Sequence, residues 1–171
     1  MNINYKNIVV VLILFFYPSA KSAENIFLYK GTFSRKIKVE DLNQFKETKI
    51  PSNKLKNLIK ITNQTEKGLH KFLSYKIDVP VIASSKLMNS KIGEVFLGRL
   101  SKIIYPNKIL DKKLSTKAIR SAIILGSYNN NQKIDLVDFF KAYPNKNIAL
   151  DLNGLNNAIK KMESLKDLID F

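Results

Sequence analysis

The sequence predicts a mainly α-helical, compact α+β domain of about seven to eight helices with a small antiparallel β element. Apolar residues recur every three or four positions along most of the chain, which is the pattern of helices with one buried face. Short alternating runs occur only over residues 26–39 and 148–152, which predicts an N-terminal hairpin and one late strand. The length of 171 residues and a hydrophobic content of 45% suit a single folded domain.

Residues 1–22 have the features of a secretory signal peptide. One lysine precedes an uninterrupted apolar run over residues 8–17. The small residues that follow predict cleavage between Ser22 and Ala23, so that residues 23–171 form the single helical domain. A retained N-terminal anchor in the inner membrane is the alternative. Ten helical residues, however, span only about 15 Å of a hydrocarbon core that is about 30 Å thick.

The first elements are a hairpin and two helices. Two alternating runs flank Gly31, and glycine accepts the positive φ of a tight turn, so residues 26–39 are predicted to form the hairpin. Glu40 and Asp41 suit the positive end of a helix dipole and open the first helix. Ser52 is placed to cap the second helix by accepting a backbone N–H group.

Two further helices lead to the middle of the chain. Asn63 or Thr65 is predicted to cap the third helix. Asp78 followed by Pro80 predicts the start of the fourth helix, because proline suits the first helical turn. The residues of this helix that we expect in the core are Ile82, Leu87 and Met88.

The strongest helical patterns come next. Ser90 is predicted to cap a helix that continues to Pro106 and buries one apolar face. That face consists of Ile92, Val95, Phe96, Leu100, Ile103 and Ile104. After a basic loop, Ser115 is predicted to cap a helix that is apolar around much of its circumference, and we expect this helix to be the most buried one.

The last third of the chain is predicted to hold a helix, a strand and a helix. The first helix begins at or just before Asp135 and closes at Tyr143 and Pro144. The alternation over residues 148–152 predicts the late strand, which could pair with the hairpin in a three-stranded sheet. An amphipathic C-terminal helix over residues 155–165 completes the domain.

The chain is strongly basic, with 29 Lys and Arg against 14 Asp and Glu and a formal net charge of +15. The excess is divided evenly between the two halves of the chain, whereas nucleic-acid binders concentrate it in one patch, so we expect no nucleic-acid partner. Two interpretations of this charge remain open. It reflects compositional bias, or it serves adhesion to an anionic membrane surface or another polyanion. The densest basic stretch contains Lys102, Lys108, Lys112, Lys113 and Lys117.

The basic residues are nearly all lysine, so the few arginines stand out. Two interpretations remain open for the pair on the strongest helices. Glu94 and Arg120 could form a structural ion pair that links the two helices, with Arg99 close by. Alternatively, Arg99 and Arg120 could both donate to one carboxylate or phosphate.

The sequence predicts no catalytic, cofactor or metal site. It contains no cysteine and one histidine, His70, whereas a metal site needs several ligands. Ser127 lacks the flanking glycines of a nucleophile elbow. No phosphate-binding loop or dinucleotide fingerprint occurs. We therefore expect neither a cofactor nor the catalytic residues of an α/β-hydrolase.

Six short runs, taken in order, resemble a cyanobacterial domain family of unknown function. They are Ile26–Gly31 (IFLYKG), Val39–Thr48 (VEDLNQFKET), Ile92–Leu100 (IGEVFLGRL), Lys117–Leu125 (KAIRSAIIL), Phe140–Pro144 (FKAYP) and Ile148–Leu152 (IALDL). This domain occurs behind a signal peptide at the N-terminus of larger predicted α/β-hydrolases. The resemblance implies a mainly helical accessory domain exported by a photosynthetic bacterium, and it carries over no functional residues.

Three classes of function follow from these observations. The favoured one is an exported, non-catalytic accessory or binding domain with an unknown protein partner, because these 171 residues leave no room for a hydrolase sheet. The second is a basic module on an anionic membrane surface or polyanion. The third is a hydrolase-associated enzyme with an unrecognised site. The expected compartment is the periplasm, the thylakoid lumen or the extracellular space.

Overall fold

A computed structural model describes residues 22–62 and 64–158 of the chain. The described part holds a four-stranded sheet, a two-stranded sheet and eight helices, the last of which is described over residues 152–158. The predicted fold class, a mainly helical α+β domain with a small β element, is confirmed. The predicted signal peptide lies almost wholly outside the described residues, as does most of the predicted C-terminal helix.

The elements have the following bounds. The strands are β1 (Asn25–Lys30), β2 (Phe33–Lys38), β3 (Ile77–Asp78), β4 (Ile104–Pro106), β5 (Lys133–Ile134) and β6 (Asn147–Asp151). The helices are α1 (Val39–Thr48), α2 (Asn53–Ile61), α3 (Glu66–Ser74), α4 (Val81–Met88), α5 (Lys91–Leu100), α6 (Lys112–Asn129), α7 (Leu136–Ala142) and α8 (152–158).

The larger sheet has the strand order β2-β1-β6-β4. The hairpin is antiparallel, as predicted, and Gly31 in its turn has a φ of 60°. The late strand β6 also forms, but it pairs in parallel with β1, and β4 flanks it in antiparallel orientation. A parallel pair needs a crossover connection, which the helices between β1 and β6 provide.

The core lies between one face of this sheet and the helices. Because side chains alternate along a strand, Ile26, Ile37 and Ile148 point to the helical side, and all three are buried. Residues on the opposite side of β1, such as Phe27 and Tyr29, are half-buried.

Helix α6 is the central helix, as predicted, and its Ile119 and Ala122 are fully buried. Its N-terminus differs from the prediction. The cap is Asp111, whose carboxylate accepts a hydrogen bond from the N–H of Leu114 at 2.7 Å, whereas Ser115 lies in the second turn. The helix therefore begins in the segment that was predicted to be a basic loop.

Most of the other predicted caps are confirmed. The hydroxyl groups of Ser52, Thr65 and Ser90 each accept a backbone N–H in the first turn of the helix that follows. Asp135 begins α7 in a reciprocal capping box with Asp138. The prediction for Asp78 is wrong, since this residue pairs with β5 in the small sheet and makes no cap.

Candidate binding surface

A tight corner joins α4 to α5. The Ser90 hydroxyl donates to the Leu87 carbonyl at 2.7 Å and accepts from the Gly93 N–H at 3.1 Å. A Cβ atom on Gly93 would lie only 2.0 Å from the Leu87 carbonyl oxygen. Glycine is therefore required for the backbones of the two helices to come this close, and the corner fixes their relative direction.

Both helices lie along α6. Arg120 of α6 donates from Nε to the carbonyl oxygen of Met88, the last residue of α4, at 3.1 Å. Farther along, the side chain of Lys112 at the start of α6 lies against Gly98, near the end of α5. Helices α4 and α5 thus follow one another along α6 and run in the opposite direction to it.

The outer side of α4 and α5 is apolar and exposed. In α5 the buried residues are Gly93, Leu97 and Gly98. The first half of the apolar face of α5, which was predicted to be buried, is instead exposed. Most of the apolar residues of α4 are exposed too. The α4–α5 face is defined by its exposed side chains: Ile82 (73%), Leu87 (51%), Ile92 (76%), Val95 (59%) and Phe96 (46%).

The second half of the predicted apolar face has a different structure. Helix α5 ends at Leu100, six residues before the predicted end at Pro106. Ile103 is buried in the turn that follows, and Ile104 begins β4, an unpredicted strand. These residues join the edge of the sheet. A helical pattern alone does not predict such strand pairing.

The predicted basic surface is exposed at one end of this face. Lys102, Lys108, Lys112, Lys113 and Lys117 are all exposed. They lie just after α5, in the loop before α6, and in the first turns of α6. Because the side chain of Lys112 lies against Gly98, the start of α6 is close to the end of α5.

The arginines do not form the predicted ion pair. Glu94 and Arg99 are exposed, and among the described residues no ion pair joins Glu94 to Arg120. Arg120 instead caps the C-terminal end of α4 through the Met88 carbonyl. A cationic donor is favourable there because the last carbonyl groups of a helix lack partners.

The strongest buried electrostatic contact lies elsewhere, between α1 and α7. Lys46 Nζ lies 3.0 Å from Asp135 Oδ2, and the side chain of Asp135 is completely buried. Burial lowers the pKa of Lys46, but hydrogen bonding and attraction to Asp135 outweigh it and leave the pKa above its ordinary value. Asp138 completes the capping box with Asp135, so this cluster is explained by structure alone.

Two side chains that could carry chemistry, His70 and Ser127, have structural partners, whereas the buried Tyr143 hydroxyl has no hydrogen-bond partner among the described residues. His70 Nε2 donates to the Lys46 carbonyl oxygen at 2.9 Å, and the ring packs edge-on against Phe45. The Ser127 hydroxyl is buried and donates to the Val79 carbonyl oxygen. Burial raises the pKa of the Tyr143 hydroxyl far above its ordinary value, which keeps this group neutral.

Two depressions in the described part of the chain are lined by none of these three side chains. A depression of about 260 Å³ is lined by residues of α6 and α7, including Asp138 and Lys141. Another of about 500 Å³ lies beside Ala23 and the start of α1. Across residues 22–62 and 64–158, no three His, Cys, Asp or Glu side chains are placed to hold a metal ion.

The residues at the predicted cleavage site lie at the edge of the domain. Ser22 is exposed, whereas Ala23 is buried with an exposed fraction of 5%. The Glu24 N–H donates to the Lys146 carbonyl oxygen at 2.9 Å. Ordered packing therefore reaches the residue predicted to begin the mature chain.

Among the described residues, no helix has the length and apolar character needed to cross a bilayer.

Comparison with known proteins gives one result. The model of a family described as "alpha/beta hydrolase of unknown function" (DUF1400) matches residues 22–151. Searches of curated proteins and of solved structures found no match. The matched range runs from the exposed Ser22 to the last residue of β6 and includes the whole α4–α5 face. The chain belongs to this family of unknown function.

Proposed function

We propose that the chain is an exported, non-catalytic accessory or binding domain that acts through the α4–α5 face. The observation that carries the proposal is the direction of the α5 apolar stripe. Ile92, Val95 and Phe96 lie on the side of the helix opposite Gly93 and Leu97, which contact the rest of the domain. Apolar side chains that share one exposed side of a helix, as Ile92, Val95 and Phe96 do, mark a site of interaction.

The interior of the domain supports binding over catalysis. The buried Ser127 hydroxyl and the Nε2 of His70 each donate to a backbone carbonyl. The buried carboxylate of Asp135 is held by a lysine and a helix N-terminus. An enzyme with an unrecognised site would need polar groups that converge on a shared cavity, which these groups do not do.

The experiment that tests this proposal is site-specific photo-crosslinking in cells that produce the protein. A benzophenone amino acid replaces Val95 in one variant and Ile50, which is also exposed but remote in the chain, in the control. We expect a reproducible adduct from position 95 and none from position 50. If both positions give the same pattern, or if position 95 gives an adduct with neither protein nor lipid, the α4–α5 face is not the binding surface.

Export is tested separately, by the mass of the protein recovered outside the cytoplasm. We expect a chain that begins at Ala23, in the periplasm, the thylakoid lumen or the medium. A mass that corresponds to a start at Met1 in a membrane fraction would favour the retained anchor. A full-length chain that stays in the cytoplasm would contradict export itself.

A further inference from the structure

We propose that the α4–α5 face, with the lysines around it, docks the domain onto an anionic lipid bilayer. The inference rests on the proposed function, in which this face is the binding surface, and it names the partner. The occupant is the interface of a bilayer that contains acidic headgroups. The helices lie on that interface and do not cross it.

The first step is the geometry of α5. Ile92, Val95, Phe96 and Arg99 recur at helical spacing and form the outermost stripe of this ten-residue helix. Helix α6 lies beneath it. A helix of this length, about 15 Å, can lie flat on a surface so that all of its outer apolar side chains enter the headgroup region together.

The second step is the charge around the stripe. Residues 79–117 contain eight basic and two acidic side chains. The basic ones are Lys86, Lys91, Arg99, Lys102, Lys108, Lys112, Lys113 and Lys117, and all eight are exposed. None of the eight forms an ion pair within the described residues, so their charge is available to acidic headgroups.

The third step is the position of two of these lysines. Lys112 and Lys113 occupy the first turn of α6, which has no acidic residue. The positive end of a helix dipole disfavours cations there. Only the cap, Asp111, opposes this repulsion from outside the helix. The fold gains no ion pair from these two charges, whereas an anionic surface would attract both.

The combination favours a bilayer over a protein. Protein interfaces are depleted in lysine, particularly at their centres. A bilayer interface accepts apolar side chains at its centre and lysines at its edge, because long lysine stems lie along apolar surface while the ammonium groups reach the headgroups. Acidic lipids add electrostatic attraction for each basic residue close to the surface.

The decisive experiment uses the fact that the chain has no tryptophan. Phe96→Trp is introduced into the full chain as it is expressed and processed in cells, with Phe33→Trp on β2 as the control. Both positions are exposed, so neither substitution disturbs packing. The probes are phosphatidylcholine vesicles with and without phosphatidylglycerol at about 30 mol%, in low salt and in about 0.5 M salt, where the Debye length is only a few ångströms.

We expect the indole emission of the Phe96→Trp variant to shift to the blue with the acidic vesicles in low salt, and to shift little with neutral vesicles or in high salt. The emission of the Phe33→Trp variant should not shift. Lys112→Gln, Lys113→Gln and Lys117→Gln together should weaken vesicle binding by about fivefold for each charge removed. The same change at Lys54, Lys56 and Lys60 on α2 is the matched control and should weaken binding less.

Equal shifts at positions 96 and 33, or equal losses in the two lysine triples, would overturn the membrane inference. A protein adduct from Val95 without a vesicle response at position 96 would overturn it too, but would leave the proposed function standing. Self-association that protects position 96 equally with and without vesicles would overturn it and identify a second copy as the occupant. Absence of both the adduct and the vesicle response would remove both proposals.

Discussion

At the scale of single residues, two glycines of one helix have opposite roles. Gly93 is needed because its α-carbon meets the backbone of α4, where a side chain would collide with the Leu87 carbonyl. Gly98 faces only the flexible end of Lys112, at 3.0 Å from the position that a Cβ would occupy. The same residue type is therefore indispensable at the corner and replaceable one and a half turns later.

We expect Gly93→Ala to lower the free energy of unfolding by about 3 kcal/mol, because the backbone atoms it meets cannot move aside. Gly98→Ala is the matched control, and it should be neutral or stabilise by up to about 1 kcal/mol, since alanine is the better helix former. Urea unfolding followed by circular dichroism measures both. Equal effects of the two substitutions would contradict the close approach at Gly93.

The contact between Lys46 and Asp135 is the other decisive feature at this scale. Removal of the ammonium group would leave a buried carboxylate without its cationic partner. We expect Lys46→Met to cost about 3 kcal/mol at neutral pH. Lys133→Met removes the exposed pair with Asp78, whose atoms are 3.9 Å apart, and should cost less than about 1 kcal/mol.

The pH dependence of this contact has a definite sign. The pKa of Lys46 is raised in the folded state, so its stabilisation is complete below the ordinary lysine pKa of about 10.4 and is lost as the pH rises through the raised value. The difference in unfolding free energy between the wild type and Lys46→Met should therefore be constant from neutral pH to about pH 10 and shrink above it. A difference that falls on acidification from pH 8 to pH 6 would contradict this assignment.

At the scale of elements, Arg120 joins α4 to α6 through a backbone carbonyl. The guanidinium group donates to the end of α4, whereas Glu94 remains exposed on α5. One arginine therefore fixes the packing of two helices. The Glu94 carboxylate, which the sequence pattern predicted as its partner, takes no part. The direction of the exposed α5 stripe depends on this hydrogen bond, because the rigid corner at Ser90 joins α5 to α4.

We expect Arg120→Met to cost about 1–2 kcal/mol, the usual loss for a hydrogen bond from a charged donor. Glu94→Gln should change the stability by less than about 0.5 kcal/mol. A double-mutant cycle with both substitutions, followed by thermal unfolding, should give a coupling energy close to zero. A coupling of more than about 1 kcal/mol would restore the ion pair predicted from sequence.

At the scale of the whole molecule, β6 ties the end of the described chain to its beginning. It lies between β1 and β4, and its Ile148 is fully buried opposite Ile26. The helices between β1 and β6 form the crossover, so the sheet is complete only when the late strand has been added. Such a sheet and its helices should unfold as one cooperative unit.

We expect Ile148→Ala to lower stability by about 3 kcal/mol, since it removes a fully buried branched side chain. The transition should remain single, with far-ultraviolet circular dichroism and tyrosine fluorescence shifting together. Ile50→Ala, at an exposed position, should leave both transitions nearly unchanged. Separate transitions for helical and tyrosine signals would show that the sheet and the helices are independent units.

Local signals in the sequence sufficed for many elements. The hairpin about Gly31, the caps at Ser52, Ser90 and Asp135 and the burial of α6 were all predicted, because each depends on neighbouring residues or on a helix that is apolar on several sides. The strand β4 was not predicted. Three residues within a helical pattern become a strand only because β6 offers them an edge to pair with.

The candidate surface shows the same division. The sequence by itself determined that α5 has an apolar stripe and that lysines cluster after it, since both are properties of residue order. Only the tertiary structure decided that the stripe faces outward, because Gly93 lets the backbone of α5 approach α4 and Leu97 is buried against the rest of the domain. A periodic pattern predicts that a helix has two different faces. Close backbone packing can nevertheless bury the face that carries glycine and expose the apolar face.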